Sequence, residues 1–128
     1  MDVIHLLAGC APKPIAPFSH ATIAGELICV TGQMPIVPET GEYVRGTFAA
    51  QTHAVMRNLD LVLRAAESAW DRVLHARIYL TDFSKYGEVN EAYASWFDAG
   101  KLPARTCIGV TALAGGADVE IDLLAIKK

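Results

Sequence analysis

The last apolar stretch of the chain sets the terms for everything before it. From Asp118 to Ile126 the pattern alternates strictly, with Val119, Ile121, Leu123 and Ala125 on one side and Glu120 and Asp122 on the other. A two-residue period belongs to a strand that is buried on one face only. Its apolar side needs a cover, and the segment from Thr47 to about Ala69 is suited to supply one. There Val55, Leu59, Val62, Leu63 and Ala66 form a stripe, with His53, Arg57, Asp60, Arg64 and Glu67 opposite it at spacings of three and four. That is an amphipathic helix with Thr47 as N-cap. One half-wet strand and one half-wet helix already imply a layered α+β domain.

The rest of the chain fills in that plan. Residues 3 to 7 predict a short opening strand. Pro12, Pro14 and Pro17 make the following piece an extended loop that delivers Phe18, Ser19 and His20. Ala21–Ile23 and Leu27–Thr31 predict a hairpin turned at Ala24-Gly25-Glu26. It stops at Thr31-Gly32-Gln33, where the glycine marks either a β-bulge or a place for close approach to the backbone. Met34 to Gly46 is turn chemistry. Val73–Leu80 predicts a strand with Leu74, Ala76, Ile78 and Leu80 on its apolar face and His75, Arg77 and Tyr79 half wet. A second helix is expected from Asp82 or Ser84 to about Asp98, with Val89, Tyr93, Trp96 and Phe97 as a core stripe and Gly100 as its stop. Pro103–Val110 predicts another strand, with Ala104, Thr106, Ile108 and Val110 expected in the core and Arg105, Cys107 and Gly109 on the other face. After a turn at Leu113–Ala117 comes the final strand. The stretch from Asp71 to Val110 is long enough for a crossover between parallel strands, so both helices are expected on one face of the sheet.

Composition narrows the function. A length of 128 residues suits one domain, here residues 1–128. The net charge of −3, with Lys and Arg scattered and no basic run, argues against nucleic acid as a partner. No leader-like start or run of about 18 apolar residues is present, so no membrane partner is expected. Cys10, Cys29 and Cys107 stand far apart, which fits a reducing, cytoplasmic setting. His5, His20, His53 and His75 show no metal-ligand spacing, and no glycine-rich dinucleotide motif follows a strand. A hydrophobic fraction of 52% beside 20% charged residues suggests apolar surface shared with other subunits.

The chemistry concentrates on few residues. Arg105 carries a planar fork that matches a carboxylate through two parallel hydrogen bonds, although the same residue could end a strand in water. Cys107 as a nucleophile would want an adjacent histidine, and a structural or backbone role ranks ahead. Whether Glu120 shares a face with Arg105 depends on the turn between them, because a one-residue slip inverts every side chain.

Several pieces taken together resemble the YjgF/RidA family of imine and enamine deaminases. They are Pro14-Ile15-Ala16-Pro17-Phe18-Ser19, Thr31-Gly32-Gln33, Gly41 after Pro38, Gln51-Thr52, Asn58-Leu59, Val89-Asn90-Glu91-Ala92-Tyr93, Pro103-Ala104-Arg105-Thr106 and Val119-Glu120-Ile121, in the family's order along the chain. The resemblance implies a chorismate-mutase-like fold assembled as a homotrimer, with sites between subunits and no metal or other cofactor. It implies a substrate such as 2-iminopropanoate, 2-iminobutanoate or 2-aminoacrylate, hydrolysed to a 2-oxo acid and ammonium. By the same resemblance Arg105 would clamp the substrate carboxylate and Glu120 would handle the water. The Cys107 backbone and Gly32 would orient the nitrogen end, and Phe18, Ser19, Thr31 and Asn90 would line the pocket. Ala16 and Phe18 depart from the glycine and tyrosine of the deaminase branch. Ala16-Pro17-Phe18 and Cys107-Ile108 are similar to the aminoacrylate deaminases of pyrimidine degradation, so 3-aminoacrylate is an alternative substrate. A non-catalytic regulatory trimer that binds small carboxylic acids is the other alternative.

Overall fold

The computed structural model describes residues 1–128. Six strands form one mixed sheet: β1 (Ile4–Leu6), β2 (Ala21–Ala24), β3 (Leu27–Gln33), β4 (Val73–Leu80), β5 (Ala104–Gly109) and β6 (Val119–Ile126). Their spatial order is β1-β2-β3-β6-β4-β5. Neighbours run antiparallel except β4 and β5, which are parallel and joined through the expected crossover. The hairpin of β2 and β3 turns on two residues, with Gly25 at φ 61, a conformation that costs a residue without a side chain little.

Helix α1 (Phe48–Ala65) begins where the Thr47 hydroxyl accepts the Ala50 N–H at 3.0 Å, as expected of that N-cap. It ends earlier than its periodicity suggests. Glu67 turns at φ 60, and the N–H groups of Glu67 and Ser68 donate back to the carbonyls of Arg64 and Leu63 at 3.0 and 2.8 Å. This closes the helix by a Schellman motif with a glutamate in the place usually held by glycine. Helix α2 (Tyr86–Ala94) follows a 3₁₀ turn at Phe83–Lys85 in which Asp82 accepts the Ser84 N–H. It too is shorter than expected and stops before Gly100. Trp96 and Phe97 instead donate their N–H groups to carbonyls three residues back, a tightening that brings both rings onto Trp70 and that of Phe97 onto Tyr93 as well.

Val55, Met56, Leu59, Val62 and Leu63 of α1 pack on the alternating apolar residues of β3, β4 and β6. Each of these fully buried side chains contributes about 1.5–3 kcal/mol. Gln51, almost fully buried in α1, donates to the Asp118 carboxylate and accepts the Asp118 N–H, both at 2.9 Å, which fixes the start of β6 beneath the helix.

Two face assignments made from the sequence are corrected. On β4 a register shift between Val73 and His75 buries Val73 and leaves Leu74 exposed, because the bulged residue breaks the two-residue period. On β5 the expected core face is the outer one. Arg105 and Cys107 pair with the buried Ala76 and Ile78 of β4, on the helix-covered side, while Ala104, Thr106 and Ile108 are exposed. Paired residues share a face, so the neighbouring strand decides the orientation of this edge strand and its own composition does not.

Candidate functional site

The crossover brings one face of α2 over the edge strand. Tyr86, Asn90 and Tyr93 stand at i, i+4 and i+7, hence on the same side of the helix. Arg105 of β5 reaches between them. Its Nη2 donates to the Tyr86 hydroxyl at 2.8 Å, and its Cζ lies 5.4 Å from the Tyr86 ring centre and 5.2 Å from that of Tyr93. These are cation–π distances. No carboxylate pairs with it, since the ion pairs of the chain are Arg64 with Asp60 and Arg77 with Asp122.

Beside the guanidinium is a cavity of about 230 Å³ lined by Asn90, Tyr93, Ala94, Leu102, Pro103 and Arg105. Asn90 Oδ1 and the Tyr93 hydroxyl are buried there without a hydrogen-bond partner. A buried polar atom left unpaired costs about 1–3 kcal/mol, so both groups are suited to a polar guest. Burial pushes the Tyr93 phenol up to about 12 despite the opposing charge of Arg105, so it stays neutral. Burial likewise raises the Cys107 thiol, against the pull of Arg105. A thiol held protonated is a poor nucleophile, which agrees with a structural or backbone role.

A second cluster occupies the opposite face. Glu120 pairs across from Tyr79 on β4 and points away from the helices, as does Asp122 opposite Arg77. Gly32 sits in the register shift between Val30 and Gln33, where β3 carries one residue more than β6, which fits the β-bulge as one of the two sequence readings. Its missing side chain matters as well, because a Cβ at this position would collide with Oε2 of Glu120. Burial raises the Glu120 pKa above the ordinary carboxylate value, and the charge of Asp122 adds to the shift. Asp122 is itself engaged, accepting from Arg77 Nε and from the Tyr79 hydroxyl at 2.8 Å each. Phe18, Ser19, Thr31 and Gly32 border a broad open cavity of about 690 Å³ on this same side, with Arg77 and Asp122 at its floor.

The proline-rich loop is held by His20, whose Nδ1 accepts the Ala8 N–H at 2.8 Å and whose Nε2 lies 2.7 Å from the Pro12 carbonyl. The ring therefore carries its proton on Nε2, and its work is to fix the loop that presents Phe18 and Ser19.

The residues singled out from the sequence thus fall into two sets separated by the sheet. Arg105, Cys107 and Asn90 lie on the helix side, and Glu120, Gly32, Thr31, Phe18 and Ser19 belong to the bare side. Within one chain the two sets do not meet. Tyr86 carries no signal of its own in the sequence and Tyr93 reads as core packing, although their spacing to Asn90 is legible once a helix is assigned there. No three His, Cys, Asp or Glu side chains converge as a metal-binding group, and no helix is long and apolar enough to cross a membrane.

Comparison with known proteins places this architecture. Residues 9–127 match the family model described as endoribonuclease L-PSP. A RutC family protein of Pyrococcus horikoshii is 39% identical over 118 residues, spanning 92% of this chain and 93% of its own. The crystal structure of the yeast protein YEO7 superimposes with a TM-score of 0.95 at 34% identity, covering 99% of this chain and all of that one. YyfA of Yersinia pestis, a member of the Rid protein family with unknown function, gives a TM-score of 0.93 at 34% identity, covering 98% and 99% of the two chains. A family match over nearly the whole length, with relatives and folds this similar, makes the chain a member of the YjgF/RidA family.

Proposed function

We propose that this protein hydrolyses small 2-imino acids, and enamine acids that tautomerise to them, to 2-oxo acids and ammonium. The observation that carries the reading is an unpaired Arg105 beside the unsatisfied amide oxygen of Asn90, in a chain whose opposite sheet face holds a Glu120 of raised pKa. Because the sheet separates the two, the reaction is assigned to a site made by two copies of the chain, one giving Arg105 and the other Glu120, in a homotrimer. The bare face is fit for such contact, since Leu27 and Ile108 are 48% and 46% exposed on it.

Arg105 holds the substrate carboxylate through its remaining N–H groups and fixes the orientation of the C=N bond. The Cys107 backbone and Gly32 orient the nitrogen end, while Phe18, Ser19 and Thr31 line the remainder. Glu120, as carboxylate, takes a proton from water while the oxygen adds to the protonated imine carbon. It then gives that proton to the amine nitrogen, the C–N bond breaks as ammonia leaves, and the proton of the new hydroxyl passes through Glu120 to the ammonia, leaving the 2-oxo acid, ammonium and the carboxylate. General acid–base help of this kind is worth roughly 100- to 10,000-fold. An enamine is first protonated at carbon. The net charge of −3 and the two carboxylates on the bare face are poor footing for RNA, despite the family model's description.

The test generates 2-iminobutanoate in situ and follows its loss, with 3-aminoacrylate in a parallel reaction. Accelerated hydrolysis of the first supports the proposal. Acceleration of the second alone assigns the aminoacrylate alternative, and binding of 2-oxobutanoate without acceleration of either imposes the receptor reading.

A further inference from the structure

The geometry points to Tyr86 as the residue that sets the direction in which Arg105 presents its donors, an inference that rests on the proposed clamp. A guanidinium offers two edges, each with a pair of parallel N–H groups, and Nη2 contributes one hydrogen to both. The Tyr86 hydroxyl accepts from Nη2 at 2.8 Å. Whichever of the two hydrogens it takes, one edge is spent and one complete pair is left for a carboxylate. The ligand is then admitted in one orientation instead of two.

Tyr86 is itself held in place. Its ring stacks on Phe83 with centres 4.8 Å apart and planes 14° from parallel. The Phe83 ring lies against Gly109, the residue of β5 that follows Arg105 and Cys107 on the same face, at 3.6 Å from where a Cβ would stand. Two turns further along α2, Tyr93 closes on the guanidinium. The orientation of the cation is therefore tied at both ends of one helix face and anchored back to its own strand. Since the Tyr86 oxygen is already an acceptor for Arg105, its contribution is to position the guanidinium, and the ring alone cannot replace it.

The test is Tyr86→Phe, which keeps the ring, its stack on Phe83 and its contact with the cation but removes the acceptor. The measurements are kcat and KM for 2-iminobutanoate, the Kd of 2-oxobutanoate by calorimetry, and Tm. A positioning role lowers kcat about tenfold while KM, Kd and Tm stay within about threefold or a few degrees, because the carboxylate still binds but in more than one orientation. An unchanged kcat overturns the inference. So does a rise of KM and Kd together with kcat intact, which makes Tyr86 an ordinary binding contact, or a loss of kcat that merely follows a fall in Tm. If the unmodified protein itself fails to accelerate hydrolysis, the functional proposal fails at that step and takes this inference with it; if it is active and Tyr86→Phe equals it, only the inference fails.

Discussion

Arg105 and Glu120 lie on opposite faces of one sheet, the first paired with Ala76 beneath the helices and the second with Tyr79 on the bare side. Neither can assist the other within a single chain. If both are needed for one reaction, two chains must supply them.

That arrangement has a distinctive genetic signature. Arg105→Ala and Glu120→Gln are each expected to fold normally and to lose most imine hydrolysis. When the two variants are unfolded and refolded together in equal amounts, activity should return to about a quarter of the unmodified level, because half the sites draw Arg105 and half of those draw Glu120 from the intact donor. Mixed refolding that restores nothing, with hetero-oligomers shown by mass spectrometry, would place the reaction in one chain or remove it.

Glu120 should impose an acid limb on kcat/KM. Burial first, and then Asp122, raise its pKa, while Arg77 and Tyr79 on the adjoining strand are occupied with Asp122. The base form is therefore lost on acidification at a higher pH than for an exposed glutamate, and Glu120→Gln should abolish that limb along with the activity. The sign for stability is opposite. A carboxyl whose folded pKa exceeds its unfolded one stabilises when protonated, an effect present below the unfolded pKa and lost as pH rises through the folded one. Thermal melts at neutral pH should accordingly show Glu120→Gln at or above the Tm of the unmodified chain.

Gly32→Ala tests the room made for that carboxylate. The added methyl must displace Oε2 of Glu120. A shift of about 1 Å in an acid–base group costs on the order of 100-fold in rate. We expect kcat to fall by about that factor while far-UV circular dichroism stays unchanged, and retention of full activity would show that Glu120 is not held against position 32.

Glu67→Gly should stabilise the protein. Glu67 is exposed and is the sole non-glycine residue at positive φ. Relief of about 1–2 kcal/mol of left-handed strain outweighs about 0.4–1 kcal/mol of added unfolded-chain entropy. The net gain is about 0.5–1 kcal/mol, read as a rise in urea midpoint at constant m. A lower midpoint would mean that the glutamate side chain stabilises the cap.

Side-chain periodicity makes most of the architecture legible in the sequence. The alternation in β6 and the three- and four-residue spacing in α1 reflect how far each backbone rotates per residue, so they survive in the sequence. The Thr47 cap and the Gly25 turn are equally local. Arg105 could also be singled out from its own strand, and Glu120 through the family motif. Periodicity, however, says that two residues of a strand share a side, never which side receives the helices. For β5 that was settled by its pairing with β4, a strand some thirty residues away, and the apolar residues read as core turned out to face outward. The same long-range pairing put Glu120 across the sheet from Arg105 and put the Tyr86 hydroxyl on the guanidinium. The sequence by itself determined which elements form and which residues carry the chemistry. Only the tertiary structure decided where those residues face, because strand register is a property of the pair and is written in neither strand alone.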